Sequence, residues 1–338
     1  MHYLVTGHTG FKGSWLVPML LERGHTVSGI ALDPLPGSLF ETARVSELMV
    51  EDVRLDIRDA SATREAIQRI APDVVLHLAA QPLVRESYLR PRDTFEINAM
   101  GTLNVLEAVS LTPSVRAQVI ITTDKVYRNV DQVAGYVETD ALGGDDPYSS
   151  SKAMADILTQ SWVKSFPGVP TAIARGGNVI GGGDVSKDRL LPDLLNSFAA
   201  GVPAHIRYPG AVRPWQHALD CLNGYLVLAE ALLAGNGTGA WNFGPGKESF
   251  VDVGTIADLI SGLWGDGASW QTDGGDHPHE ANLLALDAAK AERELGWSNR
   301  LNFESSLKWT VEWQLETRSG KDARETTLSQ IAAFAALA

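Results

Sequence analysis

Apolar residues fall in short continuous runs that alternate with amphipathic stretches. Tyr3-Leu4-Val5 predicts a buried strand, and Leu16, Met19 and Leu20 share one face of the helix that follows. Pro18 lies inside that helix and removes a backbone hydrogen bond, which predicts a kink or a 3₁₀ start. Further strands are predicted at 26–32, 53–55, 73–78, 117–122 and 171–175. The run 73–78 is continuous and β-rich, which suits burial on both faces. Helical patterns lie between the strands, at 61–70 with Ser61 as N-cap, at 94–110 and at 147–166. Strands alternating with helices of this length predict an α/β protein built on a doubly wound parallel sheet. Ligands of such sheets bind beyond the carboxyl ends of the strands, where Gly7, Ala79 and Thr123 fall.

Past residue 180 the spacing becomes irregular, and Pro, Gly and Trp increase. Residues 1–180 therefore read as a dinucleotide-binding domain and 181–338 mainly as a smaller, mixed substrate-binding lobe. A helix at 219–234 and a strand at 241–243 return to the first lobe, so about 211–245 belongs with it. The C-terminal residues, with Trp309, Trp313 and Leu315, read as a packing helix followed by a charged surface segment.

Composition narrows the class. The chain has 338 residues, 44% apolar and 20% charged, as in an ordinary soluble globular protein. Its net charge of −13 argues against a general nucleic-acid surface, which needs a basic stripe. No basic n-region or cleavable apolar segment opens the chain. The most apolar helical stretch, 225–234, contains Glu230 and is too short to span a bilayer. One cysteine, Cys221, excludes an intrachain disulfide and a multi-Cys zinc site. The expectation is a reduced, cytoplasmic protein with no membrane partner.

The chemistry collects in a few places. Gly7, Gly10 and Gly13 form G-x-x-G-x-x-G between a strand and a helix. The first allows a tight turn, the second lets a diphosphate approach the backbone, and the third lets helix pack on strand. Asp33 follows the second strand, 20 residues after Gly13, where a carboxylate accepts from ribose hydroxyls and repels a 2′-phosphate. That favours NAD, with Lys12 in the loop keeping NADP as the alternative. Ala79, Ala80 and Gln81 end the fourth strand with small residues that would let a cofactor lie close. Thr122-Thr123-Asp124-Lys125 ends the fifth with a hydroxyl, a carboxylate and an amine in sequence. Tyr148 and Lys152, four residues apart on a helix, point into one space, and a nearby ammonium lowers a phenol's pKa toward that of a base. Arg189, Arg207 and Arg213 suit a diphosphate through their bidentate fork. The run His277-Pro278-His279-Glu280 lacks a helical presentation and a third nearby ligand, so it reads as a polar lid and no metal site is assigned.

Together these motifs resemble the extended short-chain dehydrogenase/reductase family, with its Rossmann-type sheet, and within it the nucleotide-sugar 4,6-dehydratases of the CDP-glucose branch. The resemblance is carried by Thr6–Trp15, Leu78–Val84, Thr122–Tyr127, Asp146–Lys152, Ala174–Asp184, Arg213–His217 and His277–Glu280, in the family's order. The Asp124-Lys125 pair is its most specific part. The chain departs from the family pattern at Val126, at Val185 and at Asn282-Leu283.

The resemblance implies an NAD-dependent hydro-lyase that is redox-neutral overall. CDP-glucose would become CDP-4-keto-6-deoxyglucose by oxidation at C4, loss of water across C5–C6 and hydride return to C6. Tyr148 would take the 4-hydroxyl proton, with Thr123 on the same oxygen and Lys152 on the ribose. Asp124 would protonate the leaving oxygen and Lys125 would be the C5 base, or would merely pair with Asp124. The implied cofactor contacts are Gly7, Gly10, Phe11, Lys12, Gly13, Asp33, Asp56, Ile57, Leu78, Ala79, Ala80, Gln81, Asn98, Thr122, Tyr148, Lys152 and Arg175. The implied substrate contacts are Asn178, Arg189, Leu190, Arg207, Arg213 and His279, and the helices 94–110 and 147–166 would form a homodimer interface. The alternatives are a dehydratase of another nucleotide sugar of the GDP-mannose type, an epimerase or reductase on the same scaffold, and a non-catalytic NAD sensor.

Overall fold

The computed structural model describes residues 1–132, 134–273 and 284–337. From the amino terminus the elements are β1 (His2–Thr6), α1 (Phe11–Glu22), β2 (Thr26–Ala31), β3 (Glu51–Arg54), α2 (Ala60–Ile70) and β4 (Val74–His77). Next come α3 (Val84–Leu89), α4 (Pro91–Phe95), a π-helical turn (Glu96–Met100), α5 (Gly101–Ser110) and β5 (Ala117–Thr123). Then follow α6 (Pro147–Ser165), β6 (Thr171–Gly176), α7 (Leu190–Ala199), α8 (Ala218–Leu233) and β7 (Gly239–Phe243). The chain ends with α9 (Val253–Trp264), α10 (Phe303–Arg318) and α11 (Ala323–Ala335).

Seven strands form one parallel sheet in the order β7-β6-β5-β4-β1-β2-β3. Every residue of β4 and β5 is buried, because helices cover both faces of the sheet. One face packs against α1, α8 and the C-terminal helices, with Trp15, Leu16, Leu222 and Phe334 in its core. The other packs against α2 and α5 through Ile30, Ile67, Val75 and Val105. A smaller core, with Leu194, Phe198, Trp215, Ile256 and Leu307, joins α7, α9 and α10. The return of the chain through α8 to β7, at the sheet edge beside β6, follows the apolar pattern of 219–243.

Some local expectations are corrected. Helix α1 starts as an α-helix at Phe11, with no 3₁₀ turn, and runs through Pro18. Asp59, not Ser61, caps α2, because its carboxylate accepts from the Ala62 N–H. The helical region expected at 94–110 starts earlier, at Pro91, and contains the π turn at 96–100. The C-terminal residues form two helices rather than one helix and a surface tail. Asp322 caps α11, and Arg324 donates to the Ala43 and Arg44 carbonyls, which docks the helix on the first half of the chain. Among the described residues no helix is long and apolar enough to cross a membrane.

Candidate active site

At the carboxyl end of β5 the strand stops at Thr123, whose side chain serves in two directions. It accepts from the Lys125 N–H at 3.4 Å, capping the 3₁₀ turn Asp124–Val126, and donates to Asp124 Oδ1 at 2.7 Å. The turn places Asp124 and Lys125 on the wall of a cleft. Asp124 is 2% exposed, and Lys125 Nζ donates to its Oδ1 at 3.2 Å and to Asn178 Oδ1 at 3.4 Å. Helix α6 starts beside this turn. Asp146 caps it through the Ser149 N–H, and Pro147 takes the first helical position, where its missing N–H is harmless. Tyr148 therefore enters on the first turn and Lys152 one turn later, both buried.

The electrostatics differ from the sequence expectation. Lys152 does not act on the Tyr148 phenol: its ammonium donates to the Ile121 carbonyl at 2.8 Å. Burial pushes the Tyr148 pKa up, and the opposing effects come first from the Lys125 charge and then from a side-chain hydrogen bond with Thr123. The Lys152 amine is pushed down to about 8, first by burial and then by the Lys12 charge, with Asp156 opposing.

The glycine loop leaves a cradle. Gly7 has a φ of +75°, and a Cβ there would lie 2.7 Å from Ala79 N. At Gly13 a Cβ would meet Gly7 O at 2.4 Å. At Gly10 it would meet only Gly7 O, at 3.4 Å, so protein packing does not demand that glycine. The space it leaves lies before the amino end of α1, whose first N–H groups have no intrahelical partner. A dinucleotide diphosphate fits that combination. Beneath it runs a relay of fixed direction. Ala79 N–H donates to Thr6 Oγ1, which donates to His77 Nδ1; His77 Nε2–H donates to Thr102 Oγ1, which donates to Asn98 O. Burial pushes His77 down to about 3, so it stays neutral and joins the ends of β1 and β4 to the π turn.

One cleft of about 1070 Å³ gathers most of the sequence-derived residues. Along it lie Gly7, Gly10, Phe11, Lys12, Gly13, Asp33, Asp56, Ile57, Leu78, Ala79, Ala80 and Gln81. They are followed by Thr122, Thr123, Asp124, Lys125, Tyr148, Lys152, Asn178, Arg189, Leu190, Arg207 and Arg213. At one end the Asp33 side chain is 89% exposed, 3.7 Å from Arg54. Asp56 is held by Arg58, whose hydrogen bonds lower its pKa. Ile57 is buried, with its side chain packed where a Cβ on Gly101 would fall. At the other end Arg189 lies 3.6 Å from Asp184.

Two residues taken as cofactor contacts do not line the cleft. Arg175 is 1% exposed and holds Asp156 through Nε and Nη2, and the Tyr127 hydroxyl and Glu138 carbonyl through Nη1. An uncompensated charge there costs about 3–5 kcal/mol, which commits the guanidinium to this pair. Asn98 is also buried, and its amide bonds the Gln81 N–H and carbonyl and the Ser151 hydroxyl. Both shape the cleft from behind. His279 and the rest of His277–Glu280 lie outside the described residues, as do Asn282 and Leu283.

The cleft also contains residues that local patterns did not pick out. Arg85 reaches Asp188 at 2.8 Å across its mouth, and His205 lines its wall. Arg54, at the carboxyl end of β3, stands beside Asp33 without lining the cleft.

A glycine cradle at a helix amino terminus, a buried Tyr-x-x-x-Lys and a strand-end hydroxyl define a dinucleotide-dependent enzyme of the extended short-chain dehydrogenase/reductase class. Comparison with known proteins sharpens this. The family model for GDP-mannose 4,6 dehydratase matches residues 4–310. A CDP-glucose 4,6-dehydratase of Salmonella typhimurium is 46% identical over 94% of this chain and 91% of its own length. A dTDP-glucose 4,6-dehydratase of Escherichia coli K12 is 30% identical over 95% of both chains. The crystal structure of a dTDP-glucose 4,6-dehydratase from Streptomyces venezuelae with NAD bound superposes with a TM-score of 0.83 at 25% identity, covering 96% of this chain and all of that one. The chain belongs to the nucleotide-sugar 4,6-dehydratases, which are hydro-lyases.

The Lys152 shift gives a pH prediction for the ligand-free protein. Its amine titrates near 8 in the fold and near 10.4 when unfolded. Between these values the unfolded chain binds more protons, so this group makes stability rise with pH from about 8 to about 10.4 and is silent below. Urea unfolding of wild type and Lys152→Met at pH 7 and pH 10 should show wild type gaining on the variant at the higher pH. An equal difference at both would contradict the shift.

Proposed function

We propose that this enzyme binds NAD and converts CDP-glucose to CDP-4-keto-6-deoxyglucose. The observation that carries it is the Asp124–Lys125 pair beside Thr123 and Tyr148, on a chain 46% identical to a CDP-glucose 4,6-dehydratase. The large sheet would serve NAD and the lobe beyond residue 180 the nucleotide sugar, with Asn178, Arg189, Leu190, Arg207 and Arg213 on its diphosphate and hexose. NAD, when bound, supplies the two-electron acceptor for C4 and later the donor for C6.

The side chains then handle protons. Tyr148, reacting as its phenolate, takes the proton of the 4-hydroxyl at Oη, with Thr123 Oγ1 on the same oxygen, and Lys152 holds the ribose. The 4-ketone acidifies C5–H. Lys125 Nζ and Asp124 Oδ1, 3.2 Å apart, carry one acidic proton between them. With that proton on Asp124, the pair is a neutral amine and a neutral acid, with the same net charge as the ion pair. The amine then takes the C5 proton while the acid protonates the departing 6-oxygen. Water leaves, the C5–C6 double bond forms, and the pair is back in its ionised state. Dehydration thus needs no net change in the charge of the buried pair, which suits a site where an added charge is costly.

The decisive measurement is incubation of the pure protein with CDP-glucose, dTDP-glucose, UDP-glucose and GDP-mannose, followed by the base-sensitive absorbance of a 4-keto product. CDP-glucose should turn over fastest, and turnover of GDP-mannose alone would transfer the reading to that substrate. Asp124→Asn should reduce bound NAD on adding substrate yet lose at least about 100-fold in dehydration, the lower range for a general acid. Tyr148→Phe should fail at the first step. Normal dehydration by Asp124→Asn would remove Asp124 from its role.

A homodimer through α5 and α6 is part of the same reading. Met100, Met154 and Ile157 are exposed apolar side chains on the π turn and α6. Met154→Lys with Ile157→Glu should sediment as a monomer where wild type sediments as a dimer. The free thiol of Cys221, buried in the core, suits the cytoplasm.

A further inference from the structure

Arg85 lies in the first turn of α3, one residue past the motif Leu78–Val84, and faces the same cleft as Arg189 and Arg207. Its Nη1 donates to Asp188 Oδ1 at 2.8 Å. Asp188 belongs to the loop before α7 and has a left-handed backbone, with a φ of +58°. Consecutive side chains there go to different partners: Asp188 to Arg85, and Arg189 to Asp184 at 3.6 Å. One loop thus presents a carboxylate to each of two arginines. Arg85 is also tied to Arg207. The pKa of Asp193, on α7, is raised first by desolvation and then by Asp188; the charges of Arg207 and Arg85 oppose the rise, and Asp184 adds to it. Arg85, Arg207 and the two loop carboxylates therefore share one electrostatic neighbourhood. The strength of the pair decides what it does. The Arg85 and Asp188 side chains are 49% and 43% exposed. An ion pair so wet shifts an equilibrium by at most about fivefold, so it is a poor fastener for a loop. A diphosphate offers the guanidinium several charged oxygens, matches its bidentate fork and outcompetes one exposed carboxylate.

We propose that Arg85 is a further diphosphate-binding residue of the cleft, and that Asp188 stands in for the phosphate until the substrate displaces it. This rests on the reading that a nucleotide sugar lays its diphosphate at this end of the cleft, by Arg189 and Arg207. Binding is then an exchange. The Arg85–Asp188 pair breaks, an Arg85–phosphate pair forms, and Asp188 turns to water. Before the ligand arrives, the carboxylate keeps the guanidinium at the cleft mouth, so less order has to be created on binding. As a tethered anion it also competes with the ligand. That competition weakens substrate binding and eases release of the product, which carries the same diphosphate.

The test is the affinity for nucleoside diphosphates, measured by calorimetry on the full-length protein with NAD present. CDP, dTDP, UDP and GDP are the probes, and the tightest binder is carried through the variants. Asp188→Asn keeps the side-chain shape and suits the left-handed backbone as aspartate does, so it removes the charge alone. It should tighten binding by about two- to fivefold. Arg85→Met should weaken binding by about tenfold or more, and adding Asp188→Asn to it should change nothing further. Weaker binding by Asp188→Asn would make the pair a strap that supports the loop, and would overturn the proposal. An equal gain from Asp188→Asn with and without Arg85 would also overturn it, because the carboxylate would then only repel the ligand through space. If Arg85→Met does not fold by circular dichroism, the direction of the Asp188→Asn change decides by itself. Wild type that prefers GDP would move the proposed function to another nucleotide, and the two variants, read with GDP, would still decide the role of Arg85. Wild type that binds none of the four overturns both.

Discussion

The Thr123 hydroxyl ends a fully buried strand and at the same moment orients two charged side chains. Its oxygen accepts the Lys125 N–H that β5 no longer pairs, and its proton fixes Asp124. Without that exchange the turn would have no cap, and Asp124 would lose a fixed partner in a site where a buried carboxylate needs one. Lys152 secures the same strand one step earlier, at the Ile121 carbonyl, and Thr122 donates to Asp156 behind the sheet. Three consecutive residues of β5 are thus fastened to α6 or to the turn. The reacting groups stand on the end of β5, on the short turn that Thr123 caps and on α6, all fastened to the sheet.

Much of this was legible in the sequence because it depends on short-range pattern. Apolar runs gave the strands, and strand ends in a parallel sheet converge, so residues far apart in the chain came out lining one cleft. What stayed hidden depends on long-range partners. Spacing along α6 could not show that Asp156 meets Arg175, so a buried guanidinium looked like a cofactor contact. Asn98 was open to the same error, since its partners lie on the Gln81 loop and on α6. Ser61 and Asp59 are both good caps two residues apart, and only the bond to Ala62 decides between them. The apolar side of α11, with Ile331 and Phe334, was masked by the alanines, threonines and charges around it.

The charge distribution runs against the composition. A chain of net charge −13 places Lys12, Lys125, Lys152, Arg189, Arg207 and Arg213 along a single cleft. Asp33, Asp56, Asp124, Asp184 and Asp188 line the same cleft, so these cations serve an anionic ligand as individual donors and not as a basic groove. Whole-chain charge therefore excluded a broad nucleic-acid surface and gave no hint of these local donors.

The contact between Gly182 and Trp313 has a consequence in time. A Cβ on Gly182 would lie 2.1 Å from the indole of Trp313, and Trp15 donates to the Gly182 carbonyl from the other side. The loop that leads to Asp184 and Arg189 is seated only when α10 lies behind it. On the ribosome the strands β1 to β6 emerge before the wall behind the substrate loop is made. At ordinary elongation rates the interval is on the order of ten seconds. A nascent chain in that interval has made the glycine loop and the strand ends of the cleft, but neither the later helices that cover one face of the sheet nor the wall that seats the substrate loop.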